Sequence, residues 1–154
     1  MITRYWEDFK VGEVEQIGGR RVDREELIAF AKQYDPQPFH VDEVAAKQSM
    51  YGGLIASGWH TCAMLMRMMC DAYMLQSASV GSPGIEQLKW LKPVRPGDTI
   101  SARRTTLTTR ASNSKPEIGL VSNLWEVFNQ DGEMVMSMQG YGMFRRRNPG
   151  SPAT

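Results

Sequence analysis

The segment Tyr34-Asp35-Pro36-Gln37-Pro38-Phe39-His40 sets a carboxylate and an imidazole five residues apart, with two prolines between them. Histidine titrates near neutrality and a neighbouring carboxylate tunes it, so the two form a proton-handling unit if their side chains converge. Spacing alone does not make them converge. Asp-x4-His is equally the pattern of a turn aspartate that ends a helix and a packed histidine that follows. Pro36 and Pro38 each fix φ and reduce the entropy lost on ordering. They predict a stiff, irregular loop here rather than a helix, and a stiff loop can hold Asp35 and His40 in fixed relative positions.

A second feature lies eighteen residues on. Gly58 stands in Gly52-Gly53-Leu54-Ile55-Ala56-Ser57-Gly58-Trp59-His60-Thr61, where a long apolar helix is expected to begin. A helix N-terminus offers unpaired N–H groups and the positive end of a dipole. Glycine lets a ligand approach the backbone closely. That combination can polarise a carbonyl and hold a developing enolate oxygen. The competing reading is a glycine needed only for close packing. Ser57 has no nucleophile-elbow pattern around it. Trp59 reads as core or as pocket wall, and His60 as packed or pocket-lining. Gln37, Ser57, Trp59 and His60 are the candidates for binding substrate. With two histidines, two cysteines and no Cys-x2-Cys pattern, no metal site is expected.

The elements that must position these residues follow from patterning. Residues 12–22 read as a strand interrupted by Gly18-Gly19. Asp23 is a good N-cap with Glu26 three residues on, a variant of the capping box. Leu27, Phe30, Ala31 and Tyr34 recur at helical spacing, and Pro36 biases Asp35 out of helical angles. Asp42 is expected to cap a short helix over 43–48. The long helix is expected from about Gly58 to about Gln76. Its apolar residues, five methionines among them, surround most of its circumference, which predicts that other structure encloses it. Four strands are expected at 85–91, 99–109, 118–129 and 133–145, forming an antiparallel meander with turns at 94–98 and 129–132. Asp131-Gly132 is a strong hairpin signal. Helices segregated from strands imply an α+β fold.

Together these segments resemble a known family. Tyr34-Asp35-Pro36-Gln37-Pro38-Phe39-His40-Val41-Asp42, then Gly53-Leu54-Ile55-Ala56-Ser57-Gly58, then Leu88-Lys89-Trp90-Leu91-Lys92-Pro93-Val94-Arg95-Pro96-Gly97-Asp98-Thr99 are similar to the signature of the MaoC-like dehydratases. The likeness runs from about Phe9 to Phe144. It implies a hotdog fold, a curved antiparallel sheet wrapped around a long central helix, in a single domain over 1–147 with a flexible tail at 148–154. It also implies an R-specific enoyl-CoA hydratase-like activity. Asp35 and His40 match the catalytic pair, and Gly58 the backbone donor to the thioester carbonyl. The partner would be an acyl-CoA or acyl-carrier thioester, handled without a cofactor, and the assembly a homodimer or a set of dimers. The family motif often reads Asp-x-Asn-Pro-x-His. Gln37 stands at the Asn position and lengthens the amide arm by one methylene. That departure mildly favours an alternative, a non-catalytic acyl-thioester binding subunit. A hotdog thioesterase is a further alternative, which the Asp-Pro-Gln-Pro-Phe-His loop disfavours.

Composition sets outer limits. The 154 residues fit one domain. A formal net charge of +1 supplies no long-range field for nucleic acid or an anionic membrane, so neither is expected as partner. The apolar stretch from Trp59 to Leu75 contains Arg67 and Asp71 and reads as a core helix rather than a membrane span. Cys62 and Cys70 are eight residues apart, about 12 Å along a helix, too far for a disulfide. They read as reduced and buried, which fits a cytoplasmic setting. The Arg145-Arg146-Arg147 run reads as solvated surface, with CoA phosphates as a lesser possibility.

Overall fold

Period-two burial shapes the sheet. Along Thr99–Ala111, Ile100, Ala102, Arg104 and Thr106 are buried while the residues between them are more exposed. The computed structural model describes residues 1–151. Six strands form one antiparallel sheet: β1 (Val14–Arg21), β2 (Ser79–Gly81), β3 (Ile85–Trp90), β4 (Thr99–Ala111), β5 (Ile118–Phe128) and β6 (Met134–Arg145). Their order is β1-β4-β5-β6-β2, with β3 also paired to β6. The register of β1 against β4 jumps between Ile17 and Arg20, so Gly18-Gly19 form the expected interruption. Asn129–Gly132 closes the β5–β6 hairpin, with Gly132 at φ 74°.

The expected four-strand meander is corrected in one respect. β4, β5 and β6 are a meander, but β3 crosses to pair with β6 rather than with β4. The connection from 91 to 98 carries Pro93, Pro96 and Gly97 at φ 88°, and Leu91 donates to the Val135 carbonyl at 2.8 Å. These features hold the chain to β6 beyond the end of β3 rather than folding it back onto β3 as a tight hairpin. The three-residue β2 was not expected, being too short to show a period.

Helix α1 (Arg24–Tyr34) is capped as expected: the Asp23 carboxylate accepts from the Glu26 N–H at 2.9 Å. The box is only half made, because the Glu26 carboxylate turns to Arg20 at 2.8 Å. Leu27 and Ala31 are buried, whereas Tyr34 is exposed. The stiff irregular loop predicted after Asp35 is corrected to a single helical turn, α2 (Pro38–Val41). Proline is tolerated at the first helical position because that N–H has no intrahelical partner. Asp42 caps α3 (Glu43–Gln48) through Val44 and Ala45.

The long helix α4 spans Gly58–Ala72, then breaks at Tyr73 before a 3-10 turn at Met74–Gln76. Met64, Leu65, Met68 and Met69 are buried in a core shared with Ile100, Val121, Trp125 and Met136 of the sheet. Met66 is exposed, and Arg67 pairs with Asp71 across one exposed turn. The helix is therefore amphipathic within this chain, not enclosed all round. No helix among the described residues is long and apolar enough to cross a membrane. Cys62 and Cys70 are free and half-buried rather than fully buried.

The arginine run at the end of β6 also differs from expectation. Arg146 is buried, with its guanidinium 5.1 Å from the Trp6 ring and bonded to the Pro116 carbonyl. Arg147 pairs with Asp8 at 2.6 Å. Two of the three arginines thus tie the last strand to the N-terminal segment instead of forming a solvated run. Residues 148–151 of the expected tail turn back, with the Ser151 carbonyl accepting from Arg146. Residues 152–154 lie outside the described residues.

Candidate active site

Asp35 sits at the C-cap of α1 with φ −154° and ψ 67°, so its side chain leaves the helix line. One turn later α2 presents His40, which is 4% exposed. The pair converges: His40 Nε2 lies 3.3 Å from Asp35 Oδ2. His40 Nδ1 is 2.7 Å from the Ile55 carbonyl oxygen. A carbonyl only accepts, so Nδ1 carries a proton, and Nε2 is the ring nitrogen that faces Asp35.

The Asp35 carboxylate has further donors. Ser57 Oγ donates to Oδ2 at 2.7 Å, and Gln37 Nε2 donates to Oδ1 at 2.7 Å. Burial opposes its ionisation. The Ser57 and Gln37 hydrogen bonds and the His40 imidazole together outweigh burial and hold the carboxyl below its ordinary range.

Ser57 is the N-cap of α4, where a serine hydroxyl commonly accepts from the helix's own N–H groups. Here it makes no such bond, being committed to Asp35. Among the described residues the Gly58 N–H has no acceptor. Gly58 itself is sterically required: a Cβ there would fall 2.4 Å from the Trp90 ring. Gly58 thus combines an unpaired N–H with close packing.

Asp35, Gln37, His40 and Gly58 line one cavity of about 440 Å³. Its apolar lining includes Ile55, Ala56, Val94 and Val135. The arrangement offers an ionised carboxylate, an imidazole whose Nε2 faces it, and a helix N-terminus with an unpaired donor. Those groups can move a proton and stabilise an oxyanion.

The sequence profile of the MaoC like domain matches residues 10–123. The chain belongs to the MaoC-like dehydratase family. A MaoC-like dehydratase from Rhodospirillum rubrum superposes with a TM-score of 0.86 at 38% identity, over 95% of this chain and 99% of that one. An R-hydratase from Pseudomonas aeruginosa superposes with a TM-score of 0.72 at 18% identity, over 97% and 95% of the two chains, which shows the shared hotdog fold. Mesaconyl-CoA hydratase of Cereibacter sphaeroides is 37% identical over 75 residues, 49% of this chain but only 22% of that enzyme.

Of the positions singled out in this MaoC-like chain, Trp59 also lines the cavity, at 58% exposure. Ser57 lies behind it, fully buried against Asp35. His60 is not brought to this cavity. It faces α1, stacked on Phe30 with centroids 4.7 Å apart and its Nε2 3.5 Å from Glu26. Burial pushes its pKa down. Helical geometry accounts for this, since two residues rotate by about 200° and His60 must point away from the Gly58 side. By the same rule Thr61, three residues on, returns to the cavity, where it is found. Helical spacing from Gly58 was the signal for Thr61. The Ile55 carbonyl that orients His40 left no trace in the side-chain pattern.

Proposed function

We propose that this protein hydrates a 2-enoyl thioester reversibly to the (R)-3-hydroxyacyl thioester, with CoA or an acyl carrier as the thiol. The observation that carries this reading is the convergence of Asp35 and His40 at 3.3 Å on a cavity walled by the start of α4. In the forward direction the water oxygen bonds to C3 while the C2=C3 π bond breaks. The electron pair moves to the thioester oxygen, which the Gly58 N–H is placed to stabilise. The proton lost by water passes to the Asp35–His40 pair, and a proton from that pair goes to C2. The two groups share these transfers as a coupled unit. No cofactor enters the balance.

Gln37 fits this reading better than that of a non-catalytic subunit, because its longer arm still delivers an amide N–H to Asp35. We propose a homodimer or an assembly of dimers, since β1 and β3 offer open sheet edges, and a cytoplasmic setting, which the free Cys62 and Cys70 fit. A concentration-independent monomer in sedimentation would overturn the dimer.

The test is a panel of enoyl-CoAs varied in length and branching. Wild type should hydrate at least one, and Asp35→Asn or His40→Ala should slow it at least ~10²-fold. Undiminished turnover in the double variant would sink the assignment, and release of free CoA thiol would point to a thioesterase.

A further inference from the structure

Trp90, the last residue of β3, lies across the first turn of α4. Its indole N–H donates to the Gly58 carbonyl at 3.0 Å, and its ring leaves no room for a Cβ on Gly58. Trp59 meets it edge-on, with ring centroids 5.1 Å apart. Gly58 and Cys62 are four residues apart and so share one face of the helix. Trp90, 46% exposed, therefore lies over the groove between β3 and that face, beside the N–H suited to a thioester carbonyl. An acyl chain anchored at Gly58 could extend along α4 toward Cys62 only through the space this ring occupies. The route left to it is the cavity bounded by Ala56, Val94 and Val135, of which Trp90 forms one wall.

We propose that Trp90 sets an upper limit on acyl length and makes short-chain acyl thioesters the substrate class. This rests on the thioester reading of the cavity. Trp90 acts by occupying space, so its removal should change selectivity more than chemistry.

The test uses saturated butyryl-CoA and octanoyl-CoA, whose binding needs no turnover, titrated calorimetrically into wild type, Trp90→Leu and Trp90→Ala. Each further buried methylene is worth roughly fourfold in affinity. Trp90→Ala should shift the Kd ratio toward octanoyl-CoA by at least ~10-fold, with Trp90→Leu between it and wild type. Iodoacetamide labelling, mapped to Cys62 by mass spectrometry, should quicken in Trp90→Ala as the groove opens. An unchanged ratio overturns the proposal, most directly in a variant whose Cys62 labels faster. A shifted ratio without enoyl turnover in wild type would keep Trp90 as the length limit while removing the hydratase reading. Failure of wild type to bind either ligand overturns both.

Discussion

At the scale of single residues, the site is organised around the Asp35 carboxylate. Burial alone would raise its pKa, and the Ser57 and Gln37 bonds reverse that. Ser57→Ala removes one of these charge-assisted bonds, so the Asp35 pKa should rise. On the proposed reading the coupled pair works with Asp35 ionised, so activity is lost sooner on acidification. The acid limb of kcat/KM should move to higher pH, and the neutral-pH value should fall roughly 10-fold. A pH–rate profile of the variant checks this; an acid limb in the wild-type position would mean that the Ser57 bond does not tune the carboxylate. The residue types were legible from sequence, because a carboxylate, an imidazole and an N-terminal glycine carry recognisable chemistry. The partners were less so. Gln37 drew attention as a departure, yet its role depends on where its amide lands, and a longer arm reaching Asp35 Oδ1 is a three-dimensional fact.

Elements bring these residues together, and the junction of α4 with β3 leaves little tolerance. By helix propensity alone Gly58→Ala should stabilise α4 by up to ~1 kcal/mol. The clash with Trp90 opposes this, since a Cβ at 2.4 Å from ring atoms forces the indole or the helix to move. Overpacking of this kind costs about 1–3 kcal/mol, so Gly58→Ala should be destabilised in urea unfolding and should lose activity as the N–H shifts. Adding Trp90→Ala should restore part of the stability, giving a coupling energy of opposite sign to the single cost. Additive effects would show that the two residues do not meet. Local signals predicted elements well where the chemistry was local: the Asp23 and Asp42 caps and the Asp131-Gly132 turn are each made within a few residues. They failed where an element borrowed its stability from afar. The α2 turn forms despite its prolines, with the His40 ring held by the Ile55 carbonyl, and β3 is held by β6 some fifty residues downstream.

Across the whole molecule, the N-terminal segment, the sheet and the end of α4 meet at Arg104, which is fully buried. Its guanidinium bonds to Glu15 of β1, to Thr106 of β4 and to Asn123 of β5, and lies 5.3 and 5.0 Å from the rings of Phe9 and Tyr73. Sheet alternation places residue 104 inward, where an arginine is not expected, so this junction could not be read from pattern alone. Removing one partner of such a network leaves the others short of bonds. Arg104→Met should cost roughly 3 kcal/mol and lower Tm by about 6–12 °C. A pH signature separates loss of the ion pair from simple repacking. Burial raises the Glu15 pKa, but Arg104 and Arg4 together hold it below its ordinary range in the folded protein. A depressed folded pKa contributes stability that is present above the unfolded pKa and is lost as pH falls through the folded value. In Arg104→Met the folded and unfolded values of Glu15 draw together. The variant should therefore be less stable at neutral pH yet lose less of its remaining stability on acidification, measured as urea midpoints from neutral pH down through the carboxylate range. An acid dependence parallel to wild type would mean that Arg4 alone sustains the Glu15 charge.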